Sequence, residues 1–289
     1  MKSNKKESFL PLISVLILTH NRKTKLTKAI ESVQTQSYPK IEIIVIDNAS
    51  EDGTSDYIKE IFPKISVISL ETNHGCPGGR NIGIDYCAGE YIFFLDDDGI
   101  LDDKAVENAY NTFFSIPNVG VVTGRVMESN ENFMLKNKKS IYEVGLFQGG
   151  ISLHHVSIYN IIGKYPQDYF YGGEESYLSY KMIENDIKIV KNEEVILYHP
   201  KNHPIQKRDQ QKKSFENAFL TSYQLFPIAL FIVYTLYYSF FYSFYSIKQG
   251  FFLDFFSLYF NALKRIKKYK RTPLKYSTIL KFHKLNRPN

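Results

Sequence analysis

Apolar positions in the first hundred residues follow a repeating order, in which short continuous runs alternate with segments spaced at helical period. Ile13 to Leu18 is a short apolar run that ends at the polar break Thr19-His20-Asn21-Arg22. Leu26, Ile30 and Val33 then recur on one face, which predicts a helix over about Lys25 to Gln36. The order repeats with a strand at Ile41 to Ile46, a loop at Asp47-Asn48-Ala49-Ser50 and a helix at Ser55 to Ile61. A third strand follows at Ile65 to Leu70, a helix at Arg80 to Cys87 and a fourth strand at Tyr91 to Leu95. Strands alternating with helices predict an α/β fold with a doubly wound, mainly parallel sheet. Continuous apolarity within the strands implies cover on both faces. Ligands of such sheets bind beyond the carboxyl ends of the strands, where Thr19 to Arg22, Asp47 to Asp52 and Asp96 to Asp98 all fall.

From Val126 to about Tyr223 the pattern is less regular, with a Lys- and Asn-rich stretch near Asn130 to Lys139 and the pairs Gly149-Gly150 and Gly172-Gly173. This region is expected to form a second half that closes the crevice. Leu225 to Ile247 is then a run of 23 residues without a charge, followed by the aromatic stretch Phe251 to Phe260. From Phe255 to Asn289 there are ten Lys or Arg and no acidic residue, leaving 26 basic against 30 acidic residues in the first 254, net −4 against +6 for the whole chain. Apolar and aromatic segments followed by a polybasic one read as association with the cytoplasmic face of a membrane rather than as a nucleic-acid arm. The run is long enough to span a bilayer, but its many Phe and Tyr favour in-plane or shallow insertion, and a buried core helix is the alternative.

At 289 residues with 44% hydrophobic and 23% charged positions, the chain has the composition of a folded protein. Two cysteines, Cys76 and Cys87, are too few for a disulfide framework and fit a reducing compartment. Met1 to Ser8 are polar with no apolar core behind them, so no secretory leader is expected.

Three adjacent carboxylates, Asp96-Asp97-Asp98, end the fourth strand. They repel one another and call for a compensating cation; Mg²⁺ is usually held by one or two carboxylates plus substrate phosphates. A solvated acidic turn before a helix starting near Asp102 is the plain alternative. Asn73 to Asn81 is rich in glycine and carries Arg80, which suits contact with phosphate or equally a glycine turn without a ligand. Glu174-Glu175 follow Gly172-Gly173 at an expected helix start. There they would supply a general base for an acceptor hydroxyl, or complement the helix dipole and nothing more. His199 follows another apolar run, and Asp47 sits where it would bond a base or build a turn.

Taken in order, these pieces resemble the family 2 glycosyltransferases of the GT-A fold. The resemblance rests on Val15 to Arg22, Ile46 to Gly53, Gly78 to Gly83, the Asp96 to Asp98 triplet and Gly173-Glu174-Glu175, spread over about Leu12 to His199. It implies an inverting transferase that moves a sugar from a nucleotide diphosphate donor, UDP- or dTDP-linked, to a hydroxyl of a glycan or lipid-linked acceptor. Thr19, Asn21, Arg22, Asp47, Arg80, Asn81, Asp96 and Asp97 would serve the donor. Asp98, with Asp96 and His199, would hold Mg²⁺ or Mn²⁺. Glu175 stands where the family usually has an Asp base, and its extra methylene leaves Glu174 as the other candidate. The implied organisation is a polar extension over 1–10, a nucleotide-sugar half over 11–125, an acceptor and catalytic half over 126–224, and membrane-associated helices with a basic tail over 225–289. An inactive nucleotide-sugar-binding subunit of a polysaccharide synthase is the alternative, against which the intact acidic groups count. A nucleotidyltransferase would carry a glycine-rich, lysine-bearing phosphate loop near the start, and none is visible.

Overall fold

The computed structural model describes residues 10–128, 140–199, 204–248, 250 and 252–287. The polar extension up to Phe9 and the Asn130 to Lys139 stretch therefore lie outside the described residues. The first part of the chain alternates as its apolar pattern predicts: β1 Ile13–Thr19, α1 Lys23–Gln34, β2 Ile41–Asp47, α2 Thr54–Ile61, β3 Ser66–Ser69, α3 Gly75–Tyr86 and β4 Tyr91–Asp96. A short β5 Ile100–Leu101 and α4 Ala105–Ser115 lead into β6 Val119–Met127, β7 Ile141–Val144, β8 Ile151–His155 and α5 Ile158–Ile162. The chain continues through α6 Glu174–Glu184, β9 Lys188–Tyr198, α7 Pro204–Leu225, α8 Ile228–Lys248, α9 Phe252–Arg265 and α10 Tyr276–Leu285.

Among the described residues one sheet runs in the order β3-β2-β1-β4-β8-β6-β9-β5, with β7 added on β9. The strands from β3 to β4 are parallel, as expected. Beyond β4 the sheet is mixed: β8 runs antiparallel to both β4 and β6, β9 is parallel to β6, and β5 and β7 run antiparallel to β9. The direction of β8, Ile151-Ser152-Leu153-His154-His155, has no signature in its residues, because alternation of side chains is the same whichever way a strand runs.

Alternate residues of the central strands feed two cores. Val15, Ile17, Phe93 and Leu95 pack with Leu26 and Ile30 of α1 and Ala105 and Ala109 of α4. Leu16, Ile46, Ile92 and Phe94 face the other way, onto Ile158, Leu178 and Met182 of α5 and α6. Period-two alternation thus divides one strand between two helical layers. Helix α3 begins at Gly75, five residues before the expected start at Arg80. Its interior glycines weaken it locally but let it lie close on the sheet: a Cβ on Gly79 would fall 2.4 Å from a Leu18 methyl, and one on Gly83 2.5 Å from a Leu16 methyl.

A third core joins the C-terminal helices to this body through Tyr180, Ile183, Leu225, Phe226, Ile279 and Phe282. Backbone amides of Thr272 and Leu274 donate to the carbonyls of Gln224 and Leu225, both at 2.8 Å, which ties the basic segment to the end of α7. Helix α8 has two faces. Val233, Leu236, Tyr237, Phe240, Phe241 and Phe244 are exposed, whereas Tyr238 and Tyr242 stack on Phe215 of α7. The helix is long and apolar enough to cross a membrane, and with Ser246 its one buried residue it is not a core helix.

Gly75 carries the strictest backbone requirement near the crevice, with φ +69° and an added Cβ falling 2.3 Å from the Phe170 carbonyl oxygen. Gly75→Ala should destabilise the protein by roughly 1–3 kcal/mol, read as a lower urea midpoint at unchanged slope.

Candidate functional site

The carboxyl ends of β1, β2 and β4 open onto a crevice of about 320 Å³ lined by Thr19, Arg22, Asn48, Arg80, Asp96, Asp97, Asp98 and His199 among others. The three acidic residues take three separate environments. Asp97 is buried, accepts a hydrogen bond from Thr19 Oγ1 at 2.8 Å and meets Arg22 Nη1 at 3.1 Å. Burial pushes its carboxyl up to about 6 against the opposing pull of Arg22 and Thr19. Asp98 Oδ2 receives Arg22 at 2.7 Å and Lys25 Nζ at 3.2 Å, while its Oδ1 lies 2.6 Å from His199 Nε2. Burial opposes the charge on Asp98, but the hydrogen bond and charge of His199, with Arg22 and Lys25, hold its carboxyl well below the usual range. Asp96 is the open member, with its side chain 44% exposed.

Arg80 forms the opposite wall. Its buried guanidinium lies 3.5 Å from Asp96 Oδ1, 3.7 Å from Glu174 Oε1 and 3.3 Å from Glu175 Oε1. It also sits over the rings of Phe94 and Tyr165, at 5.9 and 5.8 Å. The Gly149-Gly150 segment crosses this cluster at a distance only glycine permits: a Cβ on Gly149 would be 2.2 Å from Glu175 Oε1, and one on Gly150 1.9 Å from Asp96 Oδ2.

The two glutamates that sequence leaves as alternatives differ sharply. Glu174 is 2% exposed and its Oε2 has no hydrogen-bond partner among the described residues. Burial raises its carboxyl to about 8, the charge of Glu175 adding to the effect and Arg80 opposing it. Glu175 keeps 21% of its side chain exposed and faces open space. A carboxyl held neutral and enclosed suits a positioning role, and an accessible one suits proton transfer.

Three of the expected donor residues, Asn21, Asp47 and Asn81, make hydrogen bonds within the walls of the crevice. Asn21, at φ 54°, accepts from the Glu51 amide at 2.8 Å, and its own amide donates to Ser50 Oγ at 2.8 Å. Asp47 accepts from the Ser50 amide at 2.9 Å. Both therefore brace the loops after β1 and β2. Asn81 holds the Tyr165 backbone from both sides, donating to its carbonyl at 2.8 Å and accepting from its amide at 3.0 Å. Asn73, from the glycine-rich stretch, lines the crevice, and so do Asn48, Phe170 and Tyr171, to which sequence gave no donor role. Asn48 donates to Asn73 Oδ1 and the Gly75 carbonyl and accepts from the His74 amide, which fixes the entry to α3.

Asp98 Oδ1 and His199 Nε2 converge on one point, and hard oxygen with imidazole nitrogen is a donor set that Mg²⁺ or Mn²⁺ accepts. Among the described residues no three His, Cys, Asp or Glu gather tightly enough to hold a metal unaided. A cation there would complete its shell with substrate phosphate oxygens and water.

The family model described as "Glycosyl transferase family 2" matches residues 14–176, more than half of the chain. The chain belongs to the family 2 glycosyltransferases. An uncharacterised glycosyltransferase of Haemophilus influenzae is 34% identical over 48% of this chain and 58% of its own length. A GalNAc(5)-diNAcBac-PP-undecaprenol beta-1,3-glucosyltransferase of Campylobacter jejuni is 35% identical over 38% of this chain and 36% of its own. A poly-beta-1,6-N-acetyl-D-glucosamine synthase of Staphylococcus epidermidis is 34% identical over 45% and 30%. The chain thus spans at most 58% of the length of these curated relatives. The fold is shared with a Pyrobaculum calidifontis mannosyltransferase solved with GDP-Man and Mn²⁺ (TM-score 0.60, 19% identity, 73% of this chain and 65% of that one). It is shared equally with S. aureus TarS 1-349 solved with UDP-GlcNAc (TM-score 0.60, 20% identity, the same coverages). This glycosyltransferase family therefore accounts for the GT-A sheet and for the position of its crevice.

Because the folded protein binds the Glu174 proton more tightly than the unfolded chain, with its ordinary carboxylate near 4.3, this contribution to stability is complete below that pH. It is lost as pH rises towards 8. Glu174→Gln should remove that part of the fall in melting temperature between pH 5 and 8. Parallel curves for the two proteins would contradict a neutral Glu174.

Proposed function

We propose that this protein is an inverting, metal-dependent glycosyltransferase. It would carry a sugar from a UDP- or dTDP-sugar to a hydroxyl of a lipid-linked or cell-surface glycan at the cytoplasmic face of a membrane. The observation that carries this reading is that Arg80 lines the crevice of the Asp98–His199 pair, at 2.6 Å, and reaches Glu175 behind it at 3.3 Å. Charge on a leaving diphosphate would meet that pair, and a proton from the acceptor would meet Glu175.

Asp98 and His199 would hold Mg²⁺ or Mn²⁺, with Asp96 as the remaining open carboxylate; when bound, the cation neutralises charge that grows on the departing nucleotide. Thr19, Asp97 and Arg22 form a hydrogen-bonded edge at the end of β1, where Arg22 and Lys25 bring two positive charges towards the diphosphate. Glu175 accepts the proton of the acceptor hydroxyl as that oxygen bonds to the anomeric carbon on the face opposite the leaving diphosphate. The configuration is inverted. Arg80 holds Glu175 in place, and Glu174, kept neutral by burial, packs behind it.

The names of the Campylobacter and Staphylococcus relatives support a lipid-linked or polymeric acceptor. The membrane reading is supported by the exposed apolar face of α8, by exposed Phe256 and Phe260 on α9, and by the basic residues that follow.

Two variants separate the roles. Asp98→Ala should abolish both metal-dependent thermal stabilisation by a nucleotide sugar and transfer. Glu175→Gln should keep the stabilisation and lower transfer by about 10²–10⁴-fold in a radiolabelled-donor assay; retained transfer would remove Glu175 as the base. On α8, the combined change Val233→Lys, Leu236→Lys and Phe240→Lys should abolish co-sedimentation with anionic phosphatidylglycerol vesicles while leaving the circular dichroism spectrum unaltered.

A further inference from the structure

Helices α8 and α9 each rest on α7 by one face and leave the other bare. Phe219 of α7 meets Phe231 of α8 at 5.5 Å and Tyr259 of α9 at 5.4 Å between ring centroids. Along α8 the packed positions recur every fourth residue: Tyr234 meets Phe226 at 5.2 Å, and Tyr238 and Tyr242 stack on Phe215 at 5.4 and 4.1 Å. Exposed positions follow the helical period on the other face, through Val233, Leu236, Phe240, Phe244 and Ile247. On α9, Ala262 is buried, whereas Phe256, Phe260 and Lys264, four residues apart, are exposed in one line. Lys267, Lys268 and Lys270 follow, all exposed, and no acidic residue lies beyond Asp254 in the chain.

We propose that α8 and α9 form an in-plane anchor that enters one leaflet and does not cross the bilayer, with Lys264, Lys267, Lys268 and Lys270 bound to the phosphates of anionic lipids. The inference rests on the membrane part of the reading above and deepens it by naming the mode of insertion and the lipid class; the transfer chemistry is separate from it. Length alone would let α8 span. The stretch of α7 beneath Tyr238 and Tyr242 opposes that. It carries Lys213, whose ammonium lies 4.6 Å from the centre of the Phe170 ring, and Glu216, paired with Arg265 at 2.7 Å. It also carries Asn217, which donates to the Tyr171 and Gly172 carbonyls at 3.0 and 2.6 Å. A spanning α8 would either draw these charges and the Gly172-Gly173 turn into hydrocarbon or give up its stacking on Phe215. Lying flat avoids both, because the stripe from Val233 to Ile247 meets acyl chains while the tyrosine face stays on α7. Nine of the 21 residues of α8 are Phe or Tyr, a composition suited to the headgroup boundary rather than to the bilayer centre. The line Phe256, Phe260, Lys264 passes from apolar to basic on one face, which sets free ammonium groups at the depth of lipid phosphates.

The chain has no tryptophan, so single substitutions on the stripe report depth without background. Val233→Trp, Phe240→Trp and Ile247→Trp are read in vesicles of phosphatidylcholine and phosphatidylglycerol whose acyl chains carry bromine either near the headgroup or near the terminal methyl. All three should be quenched to the same extent, more strongly by the shallow bromines, with Tyr238→Trp quenched by neither. Deep quenching confined to Phe240→Trp, with Val233→Trp and Ile247→Trp shallow, would reveal a spanning helix and overturn the anchor. The combined change Lys264→Ser, Lys267→Ser, Lys268→Ser and Lys270→Ser should weaken vesicle binding on the order of 10²-fold at an unchanged melting temperature, and omission of phosphatidylglycerol should weaken binding of the unaltered protein likewise. Binding indifferent to both would overturn the assignment of the lysines. Failure of the unaltered protein to bind any vesicle, with dimers in sedimentation, would put a second copy on the stripe and strike at the membrane reading itself, whereas stabilisation by UDP with Mn²⁺ reports on the transferase reading independently.

Discussion

A guanidinium that cannot give up its charge is buried at Arg80, and the arrangement around the site follows from the need to compensate it. Three carboxylates from two separate parts of the chain, Asp96 at the end of β4 and Glu174 and Glu175 at the start of α6, lie within 3.7 Å of it. Breaking a buried pair of this kind typically costs about 3–5 kcal/mol because the remaining charge is stranded. The arrangement thus fixes the sheet end and the α6 end relative to each other. It also explains the two glycine pairs. Gly149-Gly150 must cross the cluster where a side chain has no room, and Gly172-Gly173, at φ +82° and +87°, turn the chain so that both glutamates enter at the first turn of α6.

One positive charge facing three carboxylates cannot leave all of them equivalent. Glu174, enclosed and unpartnered at Oε2 among the described residues, is the carboxyl that burial drives to keep its proton, while Glu175 and Asp96 lie on either side of Arg80. The acidic triplet is resolved in the same way. Asp97 is drawn into the wall by Thr19, Asp98 is saturated by Arg22, Lys25 and His199, and Asp96 alone stays open. Adjacent residues at a strand end point in different directions, so Asp96 turns to Arg80 while Asp97 and Asp98 share Arg22.

The C-terminal helices are built on the same economy. A helix that was apolar all round would bury itself or leave the protein for the bilayer. Helix α8 does neither completely: tyrosines bind it to α7 by stacking, and phenylalanine, leucine and valine remain outside. Packing of α10 on α6 through Tyr180 and Phe282, ring centroids 3.9 Å apart, places these helices against the helix that carries Glu175. The exposed apolar face of α8 and the Arg80–Glu175 pair are thereby joined through one packed core.

Local pattern determined a large share of this protein. Continuous apolar runs specified β1 to β4, helical spacing specified the layers between them, and the polar breaks at Thr19, Asp47 and Asp96 marked the strand ends that meet in the crevice. These are properties of period and burial, which neighbouring residues encode directly. The 23-residue uncharged run and the basic tail were equally legible. Tertiary structure decided what depends on contacts distant in sequence. The antiparallel course of β8 is set by its partners, and α3 lies close on the sheet because Gly79 and Gly83 answer to Leu18 and Leu16 across the interface. Tertiary structure also shows that Asn21, Asp47 and Asn81 brace the loops and the Tyr165 segment by hydrogen bonds that their residue types alone do not reveal. The difference between Glu174 and Glu175, adjacent and chemically identical, comes wholly from which one the helix turns inward, because burial and the distance to Arg80 are properties of space and not of sequence.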